Sequence, residues 1–184
     1  MPILISILFY IFVTFVCFQT AYFLLVFSKI AFYKSQLKEP KSLKVSVIIC
    51  AKNEAENLNK FLPSIINQDY RNFEIVLIND ASTDDTLLVM EKFASDNTNI
   101  KIVNVKNNEA FWANKKYALT LGIKSASNPY LLFTDADCNP KSNKWIESMS
   151  SHFDNTKSVI LGYGAYSKVK NSFLNKLLFE FFSI

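Results

Sequence analysis

The hydrophobic positions of this chain fall into two regimes. From Ile3 to Phe27 no residue is charged, and Ile, Leu, Phe and Val dominate. The run exceeds the roughly 20 apolar residues that carry a helix across a bilayer core. Its apolarity on all sides predicts a transmembrane helix over residues 1–28 rather than the core helix of a soluble protein. A secretory signal would want a basic start and a small-residue cleavage site, and neither precedes or closes this run. From Val45 the pattern shortens and alternates. Val45–Cys50 is a β-branched apolar run, read as a buried strand. Glu56–Asn67 sets Leu58, Phe61, Leu62, Ile65 and Ile66 at helical spacing. Phe73–Ile78 predicts a second strand, and Asp84–Ser95 a second helix with Leu87, Leu88 and Phe93 inward. Ser82 with Asp85 three residues on fits a capping box for that helix. Ile100–Val105 reads as a strand, Ala113–Lys124 as a helix, Tyr130–Phe133 as a strand, Asn143–Phe153 as a helix and Ser158–Leu161 as a strand. Strands alternating with helices of this length predict an α/β domain from about Lys44, its mainly parallel sheet flanked by helices.

Charge sharpens the boundary. Of the 184 residues, 20 are Lys or Arg and 16 Asp or Glu, a formal net charge of +4. Lys29, Lys34, Lys38, Lys41 and Lys44 against Glu39 already give 5 − 1 = +4, so everything from Val45 onward sums to zero. The basic balance therefore belongs to a juxtamembrane linker over residues 29–43, not to a nucleic-acid-binding surface. That linker either lies against anionic headgroups or is plainly solvated. Lysines on the C-terminal side alone place the rest of the chain in the cytoplasm by the positive-inside rule, as a single-pass protein of the cell inner membrane. Three glycines, Gly122, Gly162 and Gly164, cannot write a GxGxxG fingerprint or a GxxxxGK phosphate loop. One histidine, His152, excludes His-cluster zinc sites, and three distant cysteines, Cys17, Cys50 and Cys138, exclude a disulfide framework.

In parallel sheets ligands bind outside the carboxyl ends of the strands, and the informative residues stand there. Ala51-Lys52-Asn53-Glu54 follows the first strand, Asn79-Asp80-Ala81-Ser82-Thr83-Asp84 the second and Thr134-Asp135-Ala136-Asp137 the fourth. Asp84 and Asp85 read as helix caps, and Glu56 and Glu74 as solvated. The D-x-D at Asp135 and Asp137 is different. Alternate residues of an extended segment point the same way, so both carboxylates can face one cation. Oxygen ligands without His select Mg²⁺ or Mn²⁺ and leave positions open for phosphate oxygens. A diphosphate leaving group is the chemistry that wants such an ion.

Together VSVIICAKNEAENL (Val45 to Leu58), FEIVLINDASTDDT (Phe73 to Thr86) and YLLFTDADC (Tyr130 to Cys138) resemble the family 2 glycosyltransferases. The likeness implies the GT-A nucleotide-diphospho-sugar-binding fold over residues 44–184. It implies that Cys50, Ala51, Asn53, Glu54 and Asp80 hold the nucleoside of a UDP- or other nucleotide-sugar, with Asp80 accepting from the base. Asp135 and Asp137 become the metal-binding pair, with Mg or Mn as cofactor, and Asp135 also borders the donor. Lys115 and Lys116, ahead of Ala118-Leu119, match a basic position near the phosphates, although Phe111-Trp112-Ala113-Asn114 stands where the family has glycine. The implied reaction is inverting, metal-assisted transfer to a lipid or polysaccharide acceptor at the cytoplasmic membrane face. The family's general base lies in a downstream E-D type motif. After Asp137 this chain has only Glu147, Asp154 and Glu180 as acids, none of them in such a motif. A C-terminally incomplete enzyme is expected, its apolar Phe173–Phe182 segment awaiting a membrane or partner. The alternative is a module that binds nucleotide-sugar without turnover.

Overall fold

The computed structural model describes residues 2–31, 39, 41–106, 115–154, 158–162 and 164. The chain divides into two units at Leu37, and residues 37–162 form the second. In the first unit a helix, α1, spans Pro2–Ala31. Its stretch Ile3–Ser28, 26 residues, is about 39 Å long at 1.5 Å per residue, long and apolar enough to cross a membrane. The side chains from Ile3 to Phe27 are exposed. Within it Thr14 Oγ1 donates to the Tyr10 carbonyl at 2.8 Å and Ser28 Oγ to that of Leu25 at 3.3 Å. Such back-bonding satisfies a hydroxyl where no water is at hand.

The second unit alternates strictly: β1 (Val45–Ala51), α2 (Ala55–Ile66), β2 (Phe73–Asp80), α3 (Thr86–Asp96), β3 (Ile100–Val105), α4 (Lys115–Ser125), β4 (Tyr130–Asp135) and α5 (Trp145–Ser151). The four strands are parallel, in the order β3-β2-β1-β4. Central strands β1 and β2 are buried on both faces, which is why they read as continuous apolar runs. The strand period of two still sorts their side chains. Val47, Ile49, Ile75 and Leu77 pack with Leu58, Leu62, Ile65, Met90 and Ile146 on one face. Ile48, Cys50, Val76 and Ile78 pack with Ala118 on the other. On that second face α4 approaches very closely through Gly122, where an added Cβ would lie 2.1 Å from Cδ1 of the buried Ile78. A side chain there would have to displace Ile78 within the core.

Five details depart from the sequence reading. Helix α3 turns Val89 and Met90 to the core and leaves Leu88 exposed. The capping box is not made; Asp84 instead accepts from Thr86 N at 3.0 Å. Strand β2 runs two residues further than expected, so Asp80 ends the strand, paired with Val105, rather than following it. Residues 158–162 form no strand: Val159 and Leu161 are exposed, and a strand persists only where a ladder partner lies alongside. Glu74 is buried, not solvated. Its Oε1 accepts from Ser46 Oγ at 2.6 Å and from the Ser127 amide, while Lys101 lies 2.9 Å from Oε2. Phe111–Asn114 and the Phe173–Phe182 segment lie outside the described residues.

Candidate functional site

The strand order dictates where a ligand can enter. From β1 the chain steps outward through β2 to β3, then returns to lay β4 on the other side of β1. The loops leaving β1 and β4 therefore part, and the crevice between them at the carboxyl ends is the topological switch point of an open α/β sheet. Cys50 and Asp135 are register partners across it. Ile48, Cys50, Lys115, Leu119, Phe133, Thr134 and Asp135 line one cleft there.

Beside the crevice, the loops leaving β1 and β2 are stitched together by their side chains. Asn53 (φ 57°) and Ala81 (φ 49°) both take left-handed backbone, a cost of about 1–3 kcal/mol each that recurs near functional sites. Cross-loop bonds hold them. Asn53 N donates to Ser82 Oγ at 3.0 Å, and Asn53 Oδ1 accepts from Thr83 N at 2.8 Å. Glu54 N donates to Thr86 Oγ1 at 2.9 Å, and Ala55 N to Asp84 Oδ2 at 3.3 Å. Hydrogen bonds from the Thr86 side chain hold Asp84 below the usual carboxylate range. One aspartate thus joins the N-termini of α2 and α3, where negative charge is favoured. The side chains of Asn53 and Glu54, expected at the nucleoside, bind the protein itself: Glu54 Oε2 accepts from Asn57 Nδ2 at 2.6 Å. Beneath them Asn79 accepts from Ser82 N at 3.2 Å and donates to Asn104 Oδ1 at 2.9 Å. Sequence reasoning set Asn79, Ser82 and Thr83 at this rim, with Ser82 as a cap, but assigned none of them, nor Thr86, a bond between loops; the only signal for those bonds was a run of Asn, Asp, Ser and Thr between a strand and a helix.

Asp80 contrasts with these satisfied neighbours. It is 5% exposed, and its Oδ1 is the one buried side-chain polar atom without a hydrogen-bond partner among the described residues. An orphaned buried carboxylate oxygen costs about 1–3 kcal/mol or more. Cys50 lies within the field of the same group. Burial, then the Asp80 charge, push its thiol up to about 11, with Asp135 adding to them and Lys115 opposing. Cys50 is therefore a neutral wall, not a nucleophile.

The expected cation pair sits at the tip of β4. Asp135 closes the strand; Cys138 N bonds back to the Asp135 carbonyl at 3.2 Å, curling the chain in one turn. Ligand atoms of Asp135, Asp137 and Cys138 lie within 4.8 Å of one another, all exposed. Two carboxylates and a thiol in that compass suit a divalent cation. Lys115 Nζ, at the start of α4, reaches Asp135 Oδ1 at 2.6 Å, and that bond holds the lysine pKa up. Lys116 is exposed beside it. Behind the turn, Gln68 bonds the Ser142 carbonyl at 2.9 Å and the Ile146 amide at 3.2 Å, fixing the segment that leads into α5.

A parallel α/β sheet with this acid-lined switch point is the GT-A fold. The chain belongs to glycosyl transferase family 2, whose profile matches residues 46–182. It is 36% identical over 125 residues, 68% of its length and 37% of the relative's, to an uncharacterized glycosyltransferase of Haemophilus influenzae. It is 30% identical over 125 residues, 66% of its length and 45% of the relative's, to the UDP-Glc:alpha-D-GlcNAc-diphosphoundecaprenol beta-1,3-glucosyltransferase WfaP of Escherichia coli. The chain thus spans less than half the length of these relatives. Among solved structures, the mannosyltransferase PcManGT from Pyrobaculum calidifontis, in complex with GDP-Man and Mn²⁺, shares the fold: TM-score 0.63 at 23% identity, over 77% of this chain and 42% of that one.

Proposed function

We propose that this chain carries the donor site of a glycosyltransferase that moves a sugar from a nucleotide diphosphate to an acceptor at the cytoplasmic membrane face, with inversion. The observation that carries the reading is the unpartnered Oδ1 of Asp80 at the carboxyl end of β2, one strand over from the switch point. A fixed carboxylate oxygen there accepts from a base that presents a ring N–H, as uracil and guanine do, and repels the ring acceptor of cytosine. A UDP-sugar is the donor we favour, in line with the name of the E. coli relative. Cys50 and Ala51 form the floor beneath the nucleoside, and Asn53 and Glu54 fix the loop over it. Asp135 and Asp137 hold the cation, and Lys115 exchanges its bond with Asp135 for one with the diphosphate. A divalent cation at this place stabilises the charge developing on the leaving group. The acceptor hydroxyl needs a carboxylate base; Glu147 and Asp154 stand in no E-D type motif, which favours, as a second reading, donor binding without turnover. The apolar α1 and its trailing lysines support a membrane-borne acceptor, a lipid or a polysaccharide, with the second unit in the cytoplasm.

Calorimetry with UDP, GDP and CDP in the presence of Mn²⁺ tests the base preference, and Mg²⁺ in place of Mn²⁺ tests the ion. Asp137→Ala should abolish cation-dependent binding with little loss of stability, because an exposed turn carboxylate holds no core. Equal affinity for CDP and UDP in the wild-type chain would overturn the role given to Asp80. Donor hydrolysis or transfer measured beside binding separates an enzyme from a binding module.

A further inference from the structure

We propose that Lys52 is a second base-reading residue beside Asp80, its ammonium donating to the carbonyl next to the ring N–H that Asp80 accepts from. The inference rests on reading Asp80 as the acceptor for the base. Three observations carry it. The β1–β2 ladder closes with Ala51 beside Asn79, so Lys52 and Asp80 are the next pair across the two strands. The alternation that puts Ile48, Cys50, Val76 and Ile78 on one face of the sheet brings both to that same side. After burial, the charges acting on the Cys50 thiol are those of Asp80, Lys115, Asp135 and Lys52. Yet the opposite charges of Lys52 and Asp80 are not joined. Asp80 Oδ1 has no partner, and the exposed Lys52 makes no side-chain hydrogen bond or ion pair among the described residues. Lys115, the other cation of the set, is engaged by Asp135 at 2.6 Å.

A buried carboxylate with a cation at hand ordinarily takes it as its partner. Here the backbone on both sides is fixed first. Asn53, at φ 57°, turns the chain directly after Lys52. Its amide bonds Ser82 Oγ at 3.0 Å and its Oδ1 accepts from Thr83 N at 2.8 Å, tying that turn to the loop that follows Asp80. An acceptor and a donor thus stand side by side with neither satisfied by the fold. A group that satisfies both presents an N–H next to a C=O. Uracil and guanine carry that edge. Cytosine and adenine carry its reverse, a bare ring nitrogen next to an amine, which sets acceptor against Asp80 and donor against Lys52. Asp80 alone reads one atom of this pattern; with Lys52 the keto bases are told from the amino bases at two.

The test uses the full chain in detergent micelles with Mn²⁺, titrated with UDP and CDP, and with uridine as a competitor of UDP. Because Lys52 makes no bond within the fold, Lys52→Met should leave the melting temperature unchanged. It should weaken UDP and uridine alike by about tenfold, the worth of one hydrogen bond to a charged donor. CDP affinity should stay as it is, and Lys52→Arg should restore most of the loss. UDP weakened with uridine untouched would make Lys52 a diphosphate ligand and overturn the proposal. So would an equal loss for UDP and CDP. Asp80→Ala separates the two levels. If it weakens UDP while Lys52→Met does not, the base reading stands and this inference alone falls. If neither variant moves UDP, both fall together.

Discussion

Strand β2 carries a buried carboxylate near each end, and the two are treated in opposite ways. At the amino end, Glu74 is surrounded by donors. Burial pushes its carboxyl up, but bonds from Ser46, Lys101 and the Ser127 amide outweigh that and hold it below the ordinary range. Ser46 in turn accepts from the Asn128 amide at 3.2 Å, so the network closes on the protein. At the carboxyl end, Asp80 keeps an oxygen with no partner among the described residues. A buried charge that the fold satisfies serves the fold. One that the fold leaves open costs stability and marks a candidate site for a ligand. Backbone strain follows the same division, since among the described residues both non-glycine residues with left-handed backbone, Asn53 and Ala81, lie at the carboxyl rim.

The sharpest way to break this contrast is Glu74→Ala. It strands the Ser46 hydroxyl and the Ser127 amide and removes the partner of Lys101, and should cost about 2–3 kcal/mol in urea unfolding, with nucleotide affinity of the folded protein unchanged. A loss of UDP binding at constant fold would show that the two rims are not separate. Next is Asp80→Ala, which should weaken UDP binding at least tenfold, about 1.4 kcal/mol, and leave the melting temperature equal or higher. If Asp80 were merely part of the helix-cap loop, stability would instead fall by up to about 1 kcal/mol while affinity stayed. Asp84→Ala, at the same rim but satisfied, should behave like Glu74 in miniature: about 1 kcal/mol of stability, read by thermal melting, through the loss of its bonds to Thr86 and Ala55. The smallest effect is on pH. The folded pKa of Glu74 lies below its unfolded value, so its stabilisation is complete above about pH 4.3 and is lost as pH falls through the folded pKa. Glu74→Gln should flatten the acid limb of the stability curve between those values; an unchanged limb would assign the acid sensitivity to other carboxylates.

Much of this was legible in the chain. Apolar runs located every strand of the sheet, because β1 and β2 are buried on both faces and admit little else. The D-x-D was visible for the same reason, as acids stand out directly after such runs. What escaped were the interactions made by polar residues across space. Ser46, buried in β1 and bonded to Glu74 in the neighbouring strand, looks in sequence like any surface serine. Leu88 has the spacing of a core residue, but the rotation of α3 over the sheet is set by Met90 and Phe93 packing below it. Asp80 was found for its position, yet its unsatisfied oxygen becomes visible only once the surrounding donors are placed.

The placing of β4 beside β1 bears on the order in which the site is born. Val45 pairs with Tyr130, 130 − 45 = 85 residues later, whereas β1 pairs with β2 at a separation of 73 − 45 = 28. Closing the longer loop costs more chain entropy, by about (3/2)RT ln(85/28), or ~1 kcal/mol. As the chain leaves the ribosome, the wall of the crevice at Asp80 can therefore form while the turn after β4 has not yet been made. For that interval the nascent domain holds half a crevice, and its second wall waits for the residues of β4.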